Sequence, residues 1–263
     1  MSDRYLHGYT SDEQERLLRQ AEHWRDELIL EGTTLVPGTR LLEVGCGVGG
    51  VLGILGLAFP GIMLSGVDIE ERQLEAARRH LRRLGLEAEL RHANAVALPH
   101  RDASFDHVWM MWFLEHLDDP VAALREARRV LVPGGALTAI EVDYNTLWAS
   151  PKSEALAALA AAVAQAMDAT GRSDAGSRLP EWLVQAGFSK VDPGERRLVY
   201  HGKSIARQAP YVAAVIQSTL PGLAGTPKAS TSQLARGLAD LLSLPDKTDA
   251  ALGWTVHKAN AVR

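Results

Sequence analysis

The chain has a single cysteine, Cys46, in 263 residues. It can form no intrachain disulfide, which fits a reducing compartment. No apolar run approaches the roughly 18 residues of a membrane-spanning helix, so no membrane span is expected. The opening Met1-Ser2-Asp3-Arg4-Tyr5 lacks the basic-then-apolar layout of a signal peptide, and the expected location is cytoplasmic. Basic charge is not in excess either: Lys and Arg number 28 against 32 Asp and Glu, a formal net charge of −4. A phosphate-backbone binder normally carries a basic domain, so no nucleic-acid partner is expected. The nine histidines show no His-Glu-x-x-His or related spacing, so no metal site is expected. Repeats and low-complexity tracts are also missing.

What remains is an ordinary globular composition, 46% hydrophobic and 23% charged, long enough for one large domain or a core with a cap. Ser11 with Gln14 three residues on is a capping-box signal. Leu17, Leu18, Ala21, Trp24 and Leu28 then follow at helical spacing. After the turn at Pro37-Gly38 the chain alternates. Strands are expected at 40–44, 62–67, 87–92, 105–110 and 136–142. Helices are expected at about 50–58, 70–84 and 120–131, the last opened by Asp119 as cap and Pro120 as first residue. Pro133-Gly134-Gly135 reads as a turn before the fifth strand. Strands alternating with helices imply βαβ units and a parallel sheet, whose ligands bind at the carboxyl ends of the strands. Further on, helices are expected at about 151–170 and 179–187, a strand at 189–200, a proline-punctuated helical stretch at 203–250 and a last strand at 251–262.

The strongest local signal is Leu41-Leu42-Glu43-Val44-Gly45-Cys46-Gly47-Val48-Gly49-Gly50, where a strand ends, glycines allow a tight turn and a helix begins. Gly45, Gly47 and Gly50 also satisfy the dinucleotide pattern G-x-G-x-x-G, and Asp68 follows at about the distance of that pattern's ribose-binding acid. Glu43 discriminates between the two readings. A carboxylate two residues before the first glycine repels a pyrophosphate. It attracts S-adenosyl-L-methionine, which has an ammonium and a sulfonium and no phosphate.

With these residues in view, 38–142 resembles the class I S-adenosylmethionine-dependent methyltransferases, in the small-molecule group that includes the menaquinone and ubiquinone methyltransferases. The resemblance implies that Glu43, Gly45, Cys46, Gly47 and Gly49 form the loop under the methionyl part of the cofactor. It further implies that Asp68, in Gly66-Val67-Asp68-Ile69, binds both ribose hydroxyls and that Ile69 packs on the adenine. In Ala93-Asn94-Ala95 the family usually has Asp where Asn94 stands; the amide oxygen can still accept from the adenine amino group. Met110 and Met111 fall where the family borders the methionyl moiety, with core packing as the alternative. Tyr9 and His7, in an opening that resembles a prokaryotic subgroup, are candidates to close over the cofactor. The fold implied is α/β, a doubly wound Rossmann-like sheet of about seven strands with the last antiparallel. It carries an N-terminal cap segment (1–36), a core (37–202 and 251–263) and a helical lid insertion (203–250).

Methyl transfer is an in-line displacement from a sulfonium. The protein aligns the nucleophile, excludes water and, for a hydroxyl, phenol or amine, removes a proton. His116, after the fourth strand, is the first candidate base, followed by Glu141, Asp143 and Tyr144 at the end of the fifth. Trp109-Met110-Met111-Trp112 stands where an Asn/Asp-Pro-Pro-Tyr motif would mark methylation of DNA adenine or protein glutamine. Gly202-Lys203-Ser204 resembles the tail of a P-loop, but Arg197 stands where that motif needs glycine. The function expected is methyl transfer to oxygen or nitrogen of a small-molecule acceptor in bacterial secondary metabolism, by a monomer or homodimer. The alternatives are a non-methylating, cyclase-like user of S-adenosylmethionine and an NAD-dependent oxidoreductase.

Overall fold

The computed structural model describes residues 10–223 and 230–263. Tyr9 and His7 lie outside the described residues. Helix α1 (Ser11–His23) is capped by Thr10, whose hydroxyl accepts from the Glu13 N–H, so the cap sits one residue before the expected Ser11. A π-helical segment, Arg25–Leu30, continues it. The alternating region is β1 (Arg40–Val44), α2 (Gly50–Ala58), β2 (Met63–Asp68), α3 (Glu71–Arg83), β3 (Ala88–His92), β4 (Phe105–Met111), α4 (Pro120–Val130) and β5 (Leu131–Ser150). There follow α5 (Glu154–Thr170), α6 (Ala175–Gln185), β6 (Ser189–Asp192), β7 (Glu195–His201), α7 (Lys203–Leu223), α8 (Thr231–Leu242) and β8 (Ala251–Val262). None of the described helices is long and apolar enough to cross a membrane.

The strands form one eight-stranded sheet in the order β3-β2-β1-β4-β5-β8-β6, with β7 also pairing β8. β1 pairs in parallel with β2 and with β4, and β4 pairs in parallel with β5. β6 and β7 both run antiparallel to β8. The order turns back on itself at β1, so the carboxyl ends of β1 and β4 flank the switch point where such sheets bind ligands. Leu41, Leu42, Val44, Val108, Trp109 and Met110 are buried, as expected of strands covered on both faces. Helix α3 buries Leu74, Ala77 and Leu81 and turns its arginines outward, the pattern of an amphipathic helix on a sheet. Asp119 caps α4 through the Ala122 N–H, with Pro120 in the first turn, as the sequence predicts.

The expected sheet of about seven strands is borne out with eight, because the stretch 189–200, expected as one strand, is two. Pro193, which has no N–H to give a ladder, and Gly194, at φ +55°, interrupt it. Pro133-Gly134-Gly135 lies inside β5, at a register shift: Phe105 pairs Leu131 while His107 pairs Ala136, so two steps along β4 face five along β5. β5 is also far longer than 136–142, running on to Ser150.

The chain divides into two compact units. The larger contains residues 10–141, Arg178–Gly194 and Lys258–Arg263; the smaller contains Val142–Ser177 and the described part of Glu195–His257. Among the described residues the cuts fall inside β5, α6 and β8 and between β6 and β7. In the larger unit, the buried Lys258 donates to the carbonyls of Ile29 and Glu31 and to the Thr33 hydroxyl, and its ammonium lies 5.5 Å from the Trp109 ring centroid. These bonds tie the end of the π-helical segment to the sheet. In the smaller unit, β7 pairs β8 from Glu195↔His257 to His201↔Ala251, and Ser230 closes a capping box on α8 with Gln233.

Candidate cofactor and active site

Every described residue proposed for the cofactor falls in the larger unit, at the carboxyl ends of β1, β2, β3 and β4. The loop after β1 is built from its own backbone. The N–H groups of Gly45 and Cys46 both donate to the Val67 carbonyl, at 2.9 and 3.0 Å, and Gly49 N–H donates to Cys46 O at 2.8 Å. Gly45, Gly47 and Gly49 hold φ of +74°, +48° and +75°, a region costly for residues with a Cβ. Their surroundings differ. A Cβ at Gly45 would lie 2.2 Å from the Phe113 ring, whereas one at Gly47 would meet nothing within 4 Å. The loop is thus closed by an aromatic ring at one glycine and open at the other.

Glu43 is buried at the mouth of this loop. Burial pushes its carboxyl well above the usual range, while the Leu52 N–H in the first turn of α2 pulls it down and the Asp68 charge raises it. Its Oε2 has no hydrogen-bond partner. A buried carboxylate oxygen left without a donor is costly, and a cationic ligand group would satisfy it. Asp68 accepts from Gly47 N–H (2.8 Å) and from Glu70 N–H (2.9 Å), one bond to each oxygen. Burial raises its pKa and those amides oppose the rise. Each oxygen keeps a lone pair for a diol hydroxyl.

Ile69 follows with its side chain 47% exposed, and His92 Nε2 lies 2.8 Å from the Ile69 carbonyl. Asn94 Oδ1 accepts from Val96 N–H at 3.2 Å, so the amide oxygen shapes its own turn. Ala95 is buried, and Val96 beside it is an exposed apolar side chain. Met110 is fully buried and Met111 nearly so, at the end of β4.

After β4 the chain turns at Trp112, at φ +48°, and forms a short 3-10 turn, Leu114–His116. Glu141 Oε1 accepts from Phe113 N–H (3.0 Å) and Leu114 N–H (2.7 Å). Burial raises Glu141 to about 7 against the pull of these amides. The His116 side chain is 20% exposed, with Nε2 3.4 Å from Glu115 Oε1, and burial lowers its pKa to about 4. It is therefore neutral at physiological pH and a weak base. Asp143 and Tyr144 belong to the smaller unit. There Asp143 Oδ1 accepts from the backbone and side-chain N–H groups of Asn145, at 3.0 and 3.2 Å, and Tyr144 N–H donates to Ser173 O. Sequence reasoning missed Phe113, because nothing in the string Trp112-Phe113-Leu114 shows that its ring rests on Gly45.

A family model described as "Methyltransferase domain" matches residues 42–139, the stretch that carries the loops after β1, β2, β3 and β4. The ubiquinone biosynthesis O-methyltransferase of Dinoroseobacter shibae is 34% identical over 177 residues, covering 65% of this chain and 67% of that protein. The chain belongs to the S-adenosylmethionine-dependent methyltransferases. Among other relatives of this methyltransferase, the 27-O-demethylrifamycin SV methyltransferase of Amycolatopsis mediterranei is 36% identical over 133 residues, covering 50% of this chain and 48% of that one. The chain spans about half to two thirds of the length of the first of these relatives. Its fold is similar to that of the (4+2)-cyclase SpnF, at a TM-score of 0.55 and 23% identity over 92% of this chain and 81% of that one.

The methyltransferase site fits the family's cofactor, S-adenosyl-L-methionine. Glu43 Oε2 is a buried acceptor in want of a cation, Gly47 leaves the loop open, Asp68 has lone pairs to offer, and Ile69 presents an uncovered apolar side chain. A pyrophosphate at the same loop would meet the carboxyl groups of Glu43 and Asp68 instead.

Proposed function

We propose that this methyltransferase moves the methyl group of S-adenosylmethionine to an oxygen, or failing that a nitrogen, of a small-molecule acceptor. The observation that carries the reading is the partnerless Oε2 of Glu43, buried at the mouth of a glycine loop. Two relatives whose names specify O-methylation, one of ubiquinone biosynthesis and one acting on a rifamycin, support oxygen as the acceptor atom. A role in bacterial secondary metabolism and a cytoplasmic location are parts of the same proposal.

When bound, S-adenosylmethionine supplies an electrophilic methyl on a sulfonium with a neutral leaving group. The chain's own residues do the rest. Glu43 would hold the ammonium and Asp68 the ribose diol, and Ile69, Asn94 and Val96 would receive the adenine. The 45–49 and 112–116 segments exclude water from the switch point. Among the candidate bases, His116 stays unprotonated at neutral pH because it is buried, and Asp143 and Tyr144 are the alternatives. The 203–250 stretch serves as a lid in this reading, and slower proteolysis of it in the presence of S-adenosylhomocysteine would bear that out.

The test is parallel calorimetric titration with S-adenosylmethionine, S-adenosylhomocysteine and NAD, followed by an acceptor screen read as S-adenosylhomocysteine formed. Micromolar binding of the first two alone, with turnover on a phenol or hydroxyl, is the expected result. Binding of NAD alone overturns the cofactor reading. Binding without turnover across the screen favours a non-methylating enzyme.

A further inference from the structure

Where β4 ends, its last rung to β5 is Trp112 N–H to Ile140 O, at 2.8 Å. Beyond it the chain leaves the sheet through the left-handed Trp112, and the amides of Phe113 and Leu114 have no strand to pair with. They also open a 3-10 turn, whose first N–H groups have no partner within the turn. Glu141, the residue after Ile140, fills both needs with one oxygen, Oε1. The other oxygen, Oε2, is buried without a partner, and the residue has no exposed surface. A buried carboxyl is a costly way to hold a turn that a surface Ser or Asp could cap.

The position of the Phe113 ring explains the arrangement. A Cβ on Gly45 would fall 2.2, 2.6 and 2.8 Å from three ring carbons, so the ring lies against the Gly45 Cα. Gly45 is two residues after Glu43, at the entrance to the loop. The ring's placement therefore sets how wide that entrance is, and the placement depends on the Phe113 backbone that Glu141 holds.

We infer that Glu141 is a positioning residue, which fixes the Phe113 and Leu114 amides and thereby seats the Phe113 ring on Gly45 at the mouth of the cofactor loop. The inference rests on the cofactor reading above and reassigns Glu141 from the bases considered in the sequence. As a base, Glu141 would have to reach an acceptor proton. One of its oxygens is committed to two amides and the other is sealed from solvent.

The experiment combines S-adenosylhomocysteine titration with hydrogen exchange of the 112–116 segment in wild type, Glu141→Gln, Glu141→Ala, Phe113→Ala and the Glu141→Ala/Phe113→Ala double variant. Glu141→Ala should speed exchange at the two amides by roughly 10-fold or more and weaken S-adenosylhomocysteine by about 10-fold, the scale of a lost charge-assisted hydrogen bond. Glu141→Gln keeps an acceptor oxygen and should bind within about threefold of wild type, while keeping the amides protected. Phe113→Ala should weaken binding as much as Glu141→Ala but leave the amides protected. The double variant should bind no worse than either single one, because both act through one ring. Three results would overturn the inference alone: variants that bind as wild type does, additive losses in the double variant, or a Glu141→Gln enzyme that binds normally yet loses turnover as fully as Glu141→Ala. Wild type that binds no S-adenosylhomocysteine overturns the cofactor reading, and this inference with it.

Discussion

The two segments that flank the switch point are held in different ways. The loop after β1 is shaped chiefly by backbone: three glycines at positive φ and amides shared with the Val67 carbonyl, with one further N–H, that of Gly47, given to the Asp68 carboxylate. The segment after β4 has no glycine and takes its one positive φ at Trp112; it is held by a buried carboxylate from the neighbouring strand. Each has a buried glutamate beside it. Glu43 accepts from the start of α2 and Glu141 from the start of a 3-10 turn, and each keeps one oxygen without a partner. A glycine loop can be built by local conformation, so its pattern is written in consecutive residues. A loop held by a strand 27 residues away is not written locally at all.

Gly45→Ala should break the first segment most severely. The added methyl meets both a forbidden φ and the Phe113 ring at 2.2 Å. We expect a loss of about 3 kcal/mol or more in stability, read by denaturant unfolding, and no measurable S-adenosylhomocysteine binding.

The second segment should show itself in the pH dependence of stability. Glu141 has a folded pKa near 7, above its usual 4.5. Between those values the folded state holds the proton more tightly than the unfolded state. The cost of burying the charge therefore grows as pH rises from 4.5 through 7. Glu141→Gln removes that cost, so its stability relative to wild type should rise by about 2 to 3 kcal/mol between pH 5 and pH 8. A flat difference would mean that the carboxyl is not buried as described. His116 has the opposite sign: its folded pKa is about 4 against 6.5, so its contribution is lost as pH falls from 6.5 towards 4. Glu115 and His116 are the titratable neighbours on the turn that Glu141 holds.

A smaller effect is expected at Glu43. Glu43→Gln keeps the shape and removes the charge, and should weaken S-adenosylmethionine by about 10- to 100-fold in calorimetric titration, or roughly 1.4 to 2.8 kcal/mol. Glu141→Gln, within about threefold on the inference above, makes the contrast between the two buried acids. Equal losses in both would erase the distinction between a ligand-binding and a positioning carboxylate. The mildest change is Gly47→Ala. It is strained by φ +48° but meets no atom within 4 Å, so the stability loss should be about 1 kcal/mol.

Much of the site was legible because its parts are short and local. Gly45, Gly47, Gly49 and Asp68 lie at the ends of strands whose apolar runs are easy to see, and the structure brings them together by a direct bond from Gly47 N–H to Asp68. The α4 cap was legible for the same reason. The side-chain packing of Met110 and Met111 was not, since strand position says which residues lie near an edge but not which way each side chain points. Pro133-Gly134-Gly135 reads as punctuation before a strand, and only pairing with β4 shows that strand residues precede it too. The break at Pro193-Gly194 was visible in composition, yet the two pieces find one partner strand at opposite ends of β8.

The sequence by itself determined the alternation of strands and helices, the glycine loop, the acid that precedes it and the acid after β2, because each depends on spacing within a few residues. Tertiary structure alone decided that Phe113 covers Gly45, that Glu141 holds the Phe113 and Leu114 amides, and that Oε2 of Glu43 is buried without a donor. Those facts depend on which strands become neighbours, and strand order follows from packing the whole sheet rather than from any window of residues.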